Sequence, residues 1–146
     1  MKSLVVIGNG QGAAGFGIGK GESVEIADNR ALVSAKNNVI WLDLKEGSGL
    51  YEPLVGKHNS TKAYFWPRKI GEGHKVGPIM RAVCECLGLM DVSGKIYGRN
   101  NPYSVIQAIF NCFHYFRTDE EMALTRGRRL VDLHNISRQY ARDPFA

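Results

Sequence analysis

The sequence predicts an α+β fold, in which antiparallel strands and short helices form two consecutive units. Three observations predict it. Glycines alternate with larger side chains over residues 15–21, directly after an apolar run, and a period of two is typical of strands. Three segments combine a helical spacing of apolar residues with a residue suited to begin a helix. Other short apolar segments are bounded by Pro and Gly, as strands are.

The first unit, residues 1–45, is predicted to hold two strands and one helix. The strands, over 3–8 and 13–19, flank the turn "GNGQG", whose glycines permit a tight hairpin. Ser23 is a suitable N-cap for a helix with apolar residues at 24, 27, 31 and 35. A strand pair under one helix is a thin core. We therefore expect either a strand missing before residue 1 or a partner that covers the sheet.

The polar segment 44–49 is the predicted boundary, and residues 46–117 form the second unit. Its strands are predicted within 50–58, 61–68 and 91–98. Its helices are predicted to begin at Pro78 and, after the N-cap Asn101, at Pro102, because proline suits the first helical position. This order predicts a sheet with both helices on one face. Residues 118–146 are a predicted tail, with a short helix capped by Thr118 and then irregular chain.

Composition narrows the classes of function. Nineteen Lys and Arg exceed fourteen Asp and Glu, which gives a net charge of +5 and a modest preference for polyanions. No segment is a basic tail, so polyanion binding would need a folded face on which cations converge. No apolar tract reaches membrane-spanning length, and three cysteines do not make a disulfide framework. The cysteines are predicted to be buried free thiols, and we expect no cofactor and no metal site.

The glycine-rich loop leaves a nucleotide-binding enzyme open as an alternative. Gly10, Gly12 and Gly15 have the G-x-G-x-x-G spacing that brings a backbone close to a pyrophosphate. In this alternative, "NNVIWLDL" is a second strand ending at Asp43, whose carboxylate could bind a ribose hydroxyl. A helix beginning at the second or third of these glycines would, however, carry glycines at 15, 17, 19 and 21, each less favourable than alanine by about 1 kcal/mol. A hairpin fits the segment better. For catalysis, Cys112 and His114 lie close in sequence, but the aromatics around them indicate a packed helix.

Several basic residues lie where phosphate could bind, beside turns or before helix N-termini. They are Lys20 after the hairpin, Lys57, His58 and Lys62 around a turn, Arg68, Lys69, His74 and Lys75 around a glycine loop, and Arg99 with Asn101 before a helix. Ordinary solvated charge explains them equally well. A third possibility is an adaptor that binds another protein through an aromatic-rich surface.

Two long stretches, "LVVIGNGQGAAGFGIGKG" and "GEGHKVGPIMRAVCECLGLMDVSGKIYGRNNPYSVIQAIFNCF", resemble the small-ribosomal-subunit protein number five family, over about residues 3–116. The resemblance implies a first unit like a double-stranded-RNA-binding domain, with one more strand before the region present here. It also implies a structural protein without enzyme activity. Its expected partners are small-subunit ribosomal RNA near the decoding region, neighbouring ribosomal proteins and the nearby messenger RNA path, with no membrane.

The resemblance also adds site residues. Lys20 matches the lysine that ends the family hairpin, Lys36 a basic position at the end of the first helix, and Arg81 the arginine of "RAV". Glu72, between Gly71 and Gly73, departs from the family pattern and weakens the expectation of a phosphate contact there. The full predicted RNA-binding set is Lys20, Lys36, His58, Lys62, Lys69, Lys75, Arg81, Arg99 and Asn101. The hairpin is most similar to mitochondrial members, so we expect a mitochondrial ribosome, with bacterial cytoplasm or plastid as the alternative.

Overall fold

The computed structural model describes residues 1–131 and 133. The chain divides into two compact parts, a main body, Met1–Phe116, and a C-terminal part, Arg117–Ala146. The main body contains β1 (Lys2–Gly8), β2 (Ala13–Lys20), α1 (Val24–Asn37), β3 (Val39–Trp41), β4 (Leu54–His58), β5 (Thr61–Pro67), α2 (Pro78–Leu87), β6 (Val92–Tyr97) and α3 (Pro102–Phe113). The α+β class is confirmed, as are the predicted helix starts at Ser23, Pro78 and Asn101. Within the described part of the chain, every helix is too short or too polar to cross a membrane.

The first sheet is antiparallel, in the order β1-β2-β3. The expectation of a single strand pair is therefore wrong, because β3 pairs with β2 and places Ile40 opposite Ala14. β3 has three residues and follows α1 after one intervening residue, Asn38. The sequence suggests a strand here only in the nucleotide-binding alternative, because three residues are too few for alternation to select it.

α1 lies directly on the β2 backbone. A Cβ atom added to Gly17 would fall on the Ala31 carbonyl, and one added to Gly19 would fall on the Ala27 carbonyl. Ala27 and Ala31 are buried in turn. The alternating glycines therefore allow the helix to approach the strand, and they are not the points at which this hairpin backbone could meet RNA.

The second sheet is antiparallel, in the order β4-β5-β6, and both helices of this half pack on one of its faces, as predicted. Phe65 of β5 contacts Phe113 of α3, with ring centroids 5.4 Å apart. Met80 of α2 occupies the space above Gly94 of β6. Gly88 ends α2 as predicted, in the left-handed conformation (φ 88°) that glycine adopts without strain.

One hydrophobic core joins the two sheets. Phe16 of β2 meets Phe110 of α3 with ring centroids 4.6 Å apart. Leu4, Val6 and Ile40 pack against the same core from the first sheet. The first sheet is thus covered by α1 on one face and by the helices of the second half on the other.

The C-terminal part, Arg117–Ala146, contains α4 (Asp119–Thr125). The predicted cap is confirmed, because the Glu121 amide donates to Thr118 Oγ1 and the Thr118 amide donates to the Glu121 carboxylate, both at 3.3 Å. The irregular chain predicted for the end of the tail lies, apart from residues 126–131 and 133, outside the described residues.

Candidate nucleic-acid interface

The amide groups of the glycine turn are already hydrogen-bonded within the chain. The Gly10 amide donates to the Cys86 carbonyl at 2.8 Å, and the Gly12 amide donates to the Leu87 carbonyl at 2.7 Å. The amides of residues 11 and 13 donate to Asn9 Oδ1 at 2.8 and 3.0 Å. A pyrophosphate site needs backbone amides that are free to donate. The turn therefore fastens the first sheet to the end of α2 instead of holding a nucleotide.

The topology contradicts the nucleotide-binding enzyme as well. A dinucleotide-binding unit needs a helix directly after the glycine turn and a parallel sheet. Here the turn leads into β2, which runs antiparallel to both β1 and β3, and α1 begins only at Val24. Asp43 lies beyond β3 in this antiparallel sheet, so the arrangement that would pair it with a bound ribose is absent from the described chain.

Lys20 and Lys36, both exposed, lie near opposite ends of α1, separated by about 18 Å of helix. Lys20 has cationic neighbours that the sequence analysis did not select. Lys2 lies directly opposite it on β1, and Arg30 Nη1 donates to the Lys20 carbonyl at 2.8 Å. Lys36 is a separate basic position in the last turn of the helix.

Four predicted residues lie near the turn between β4 and β5, with Lys62 on the opposite face of the sheet from His58. His58 pairs with Thr61 across the turn, and Thr61 Oγ1 donates to the Arg99 carbonyl at 2.7 Å. Lys62 follows Thr61 and is exposed. Asn101 lies two residues beyond Arg99, where its Oδ1 accepts from the Tyr103 amide at 3.3 Å and caps α3. We call His58, Lys62, Arg99 and Asn101 the turn cluster.

The glycine loop between β5 and α2 is ordered by contacts of its own. Asp91, which is buried, accepts from the amides of Gly71 and Gly73 at 2.9 and 3.1 Å and from Ser48 Oγ at 2.6 Å. The Ser48 hydrogen bond and the two amides lower the pKa of Asp91. The buried carboxylate therefore fixes the shape of the loop.

The loop cations differ in availability. Arg68 Nε lies 3.1 Å from the Glu72 carboxylate, and its Nη1 donates to the Gly73 carbonyl at 3.1 Å. Lys69 and Lys75 are exposed, and so is Arg81 in the first turn of α2. Glu72 thus occupies one cation of the loop, and three predicted residues remain directed to solvent.

Burial disfavours the reactive thiolate form of two of the three cysteines. Cys84 and Cys112 are buried, and burial raises the pKa of each thiol to about 12, which disfavours the nucleophilic thiolate. Cys86 is only half-buried, so the prediction of a buried thiol is wrong at this position, where the residue borders the glycine turn. Among the described residues, no three His, Cys, Asp or Glu side chains lie close enough to hold a metal ion.

The comparisons with known proteins agree with this architecture. The family model "Ribosomal protein S5, N-terminal domain" matches residues 1–42, and "Ribosomal protein S5, C-terminal domain" matches residues 56–126. The chain belongs to the ribosomal protein S5 family. The first match spans β1 to β3, and the second begins within β4 and continues through α4.

Bacterial members of the S5 family are similar along most of the chain. The small ribosomal subunit protein uS5 of Psychrobacter cryohalolentis is 39% identical over 131 residues, which cover 90% of this chain and 76% of that protein. The uS5 protein of Alcanivorax borkumensis is 36% identical over 133 residues, covering 91% and 79%. The resemblance drawn from the two motif stretches is confirmed.

Sequence reasoning missed one set of exposed and half-buried residues on the second sheet. The predicted RNA-binding set contains neither Lys57, which lies beside a turn, nor Tyr64, Trp66, Lys95 and Tyr97. Their signal was present as an alternation at period two, in "KAYFW" and "KIY". Assigning that alternation to an open face requires knowing which side the helices cover.

Proposed function

We propose that this chain is a structural protein of the small ribosomal subunit that binds ribosomal RNA. The observation that carries the proposal is the match to both S5 domain models, in order, on a fold with the corresponding two halves. Occupied turn amides and buried thiols support a structural role over an enzymatic one.

Exposed cations of the main body, Met1–Phe116, supply the contacts with RNA in this proposal. We assign RNA phosphates to three places: Lys20 and Lys36 near the two ends of α1, the turn cluster, and the glycine loop before α2 together with the first turn of that helix. The residues are Lys20, Lys36, His58, Lys62, Lys69, Lys75, Arg81, Arg99 and Asn101. Neutralising phosphates with Lys and Arg makes binding depend on salt in proportion to the number of contacts.

The family resemblance supports a finer location. We propose a position near the decoding region and the messenger RNA path, beside neighbouring ribosomal proteins, where the chain would support accurate translation. For the compartment, we propose the mitochondrial ribosome because of the hairpin sequence. The similar proteins above are bacterial, and they support the bacterial cytoplasm as the alternative.

Sedimentation of the tagged chain from cell extract tests the proposal. We expect it to migrate with small subunits at low salt, and extracts from isolated mitochondria test the compartment. A chain that stays at the top of the gradient at low salt contradicts the function.

Charge reversal tests the assigned residues. Replacing Lys20 and Arg81 by Glu should weaken binding to a small-subunit RNA transcript and reduce the salt slope by about 1 per contact. Arg126→Glu is the matched control for each single change, because Arg126 is exposed at the end of α4 and lies outside the proposed set. An equal effect of both changes would overturn the assignment.

A further inference from the structure

Within residues 1–116, helices pack on one face of the second sheet, and the other face carries no helix of this part of the chain. The covered face carries the buried residues Leu54, Ala63, Phe65 and Val92. The residues that alternate with these point to the other side, because successive side chains of a strand lie on opposite faces. We call this side the open face; its residues are Val55, Lys57, Lys62, Tyr64, Trp66, Ser93, Lys95 and Tyr97.

Three aromatic rings lie next to one another on the open face. Tyr64 and Trp66 are almost parallel, with centroids 5.8 Å apart and an interplanar angle of 14°. Tyr97 meets Tyr64 edge-on at 5.4 Å, from the neighbouring strand. Trp66 remains 40% exposed and Tyr97 53% exposed. Contiguous exposed aromatic surface of this kind marks interaction sites.

The charge of the open face has one sign. Lys57 and Lys62 lie directly opposite each other on adjacent strands, an arrangement that is unfavourable for like charges. Lys95 lies opposite Tyr64 on the next strand. The face contains no Asp or Glu, and in the described part of the chain neither ion pair involves these lysines. An anionic partner would complement this pattern.

We propose that the open face binds an unpaired segment of ribosomal RNA, with bases stacked on Trp66 and Tyr97 and phosphates held by Lys57, Lys62 and Lys95. This inference rests on the proposed function and names the RNA structure that one surface recognises. Sheets with exposed aromatics stack two or three splayed bases, whereas the bases of an RNA duplex are not available for stacking. A protein partner fits less well, because the cores of protein interfaces are poor in lysine.

A groove lies at the β6 edge of the second sheet, lined by residues of the open face and by apolar residues of the covered side, among them Met80 and Ile96. It has a volume of about 670 Å³, and Trp66 and Lys95 line it together with Lys75, Gly77 and Asn100. Lys75 belongs to the predicted RNA-binding set, and its backbone bonds to β6 through the Val92 carbonyl at 2.8 Å. A strand stacked on the open face can therefore pass into a groove that also carries a cation.

Binding of an unpaired oligouridine of about 12 nucleotides to the full chain tests the proposal. Trp66→Ala should weaken binding roughly tenfold or more, and Trp66→Phe should retain most of it, because phenylalanine also stacks. Replacing both Lys62 and Lys95 by Gln should lower the salt slope by about 1.4. Trp41→Ala is the matched control, since Trp41 is an exposed tryptophan on β3 of the first sheet. Circular dichroism melting confirms that each variant is folded.

The outcomes separate this inference from the proposed function. If Trp66→Ala leaves oligouridine binding unchanged while a small-subunit RNA transcript still binds, the open face is not a stacking surface and the proposed function stands. If neither RNA binds the parent chain, both fail. If crosslinks placed at residue 66 in assembled subunits join a ribosomal protein and no RNA, a protein covers the face and the inference is overturned.

Discussion

The two sheets of the main body, Met1–Phe116, have the same number of strands and the same antiparallel pairing, but they differ in what covers them. The first sheet carries α1 on one face and the shared core on the other. Within residues 1–116, the second sheet carries α2 and α3 on one face and no helix on its other face, which holds lysines and aromatics. The difference shows that the same type of layer is packed on both faces in the first half and exposes lysines and aromatics on one face in the second.

Side-chain size explains the difference. Glycines on β2 leave no side chains between strand and helix, so α1 packs against the backbone through small alanines. On β5, the alternate positions carry Lys62, Tyr64 and Trp66. A helix could approach these only by burying the Lys62 charge, and burying an unpaired charge is costly.

A substitution at Phe110, where α3 links the two sheets, should give the largest loss of stability. Phe110 is buried and contacts both Phe16 and Phe113. We expect Phe110→Ala to lower the free energy of unfolding by about 3–5 kcal/mol, because it removes a large ring and leaves a cavity. Urea unfolding measures this. Leu124→Ala, at a residue 80% exposed in α4, should change stability by less than about 0.5 kcal/mol. Equal effects would contradict one cooperative core.

The covered first sheet should not tolerate a methyl group under α1. Gly17→Ala places a Cβ against the Ala31 carbonyl, so the helix must move away from the strand. We expect a loss of about 1–3 kcal/mol. Gly49→Ala is the control, since its added Cβ meets only ordinary van der Waals contacts. A Gly17 variant as stable as the Gly49 variant would show that α1 is not held against β2.

Acid should loosen the loop of the second half and leave the glycine turn of the first half unaffected. The pKa of Asp91 lies below its ordinary value of 3.8, chiefly because Ser48 donates to the carboxylate. A lowered pKa stabilises the fold fully above the unfolded value, and this contribution is lost as the pH falls through the folded value.

Hydrogen exchange can follow this change. The protection factors of the Gly71 and Gly73 amides, which donate to Asp91, should fall in that acidic range. Those of Gly10 and Gly12 should hold, because these amides donate to backbone carbonyls that do not titrate there. A parallel fall in both pairs would indicate global unfolding instead.

The open face should give the smallest effect on stability. Lys62 is exposed and lies opposite another lysine, Lys57. Lys62→Gln should therefore change the free energy of unfolding by less than about 0.5 kcal/mol, with relief of like-charge repulsion favouring the variant. Thermal melting at low salt, with Lys36→Gln for comparison, measures it. A loss above 1 kcal/mol, on the scale of a core change, would show that this face is needed for folding.

Local signals in the sequence determined most of the elements. Ser23, Asn101 and Thr118 were recognised as caps because a cap bonds to amides two or three residues away. The hairpin and the stop at Gly88 are local in the same sense. The family could likewise be recognised from the sequence, because its two motif stretches lie in order along the chain.

Only the tertiary structure decided the meaning of the glycines and the location of the open face. The Gly10 amide bonds to Cys86, a residue far along the chain, and this contact turns an apparent phosphate loop into a joint. The open face depends on the register of three strands and on the side that the helices occupy. Both arrangements depend on residues far apart in the sequence, so residue type and spacing do not specify them. The same alternation can place a set of side chains on either face of a sheet, and only the packing of the core determines which face is buried.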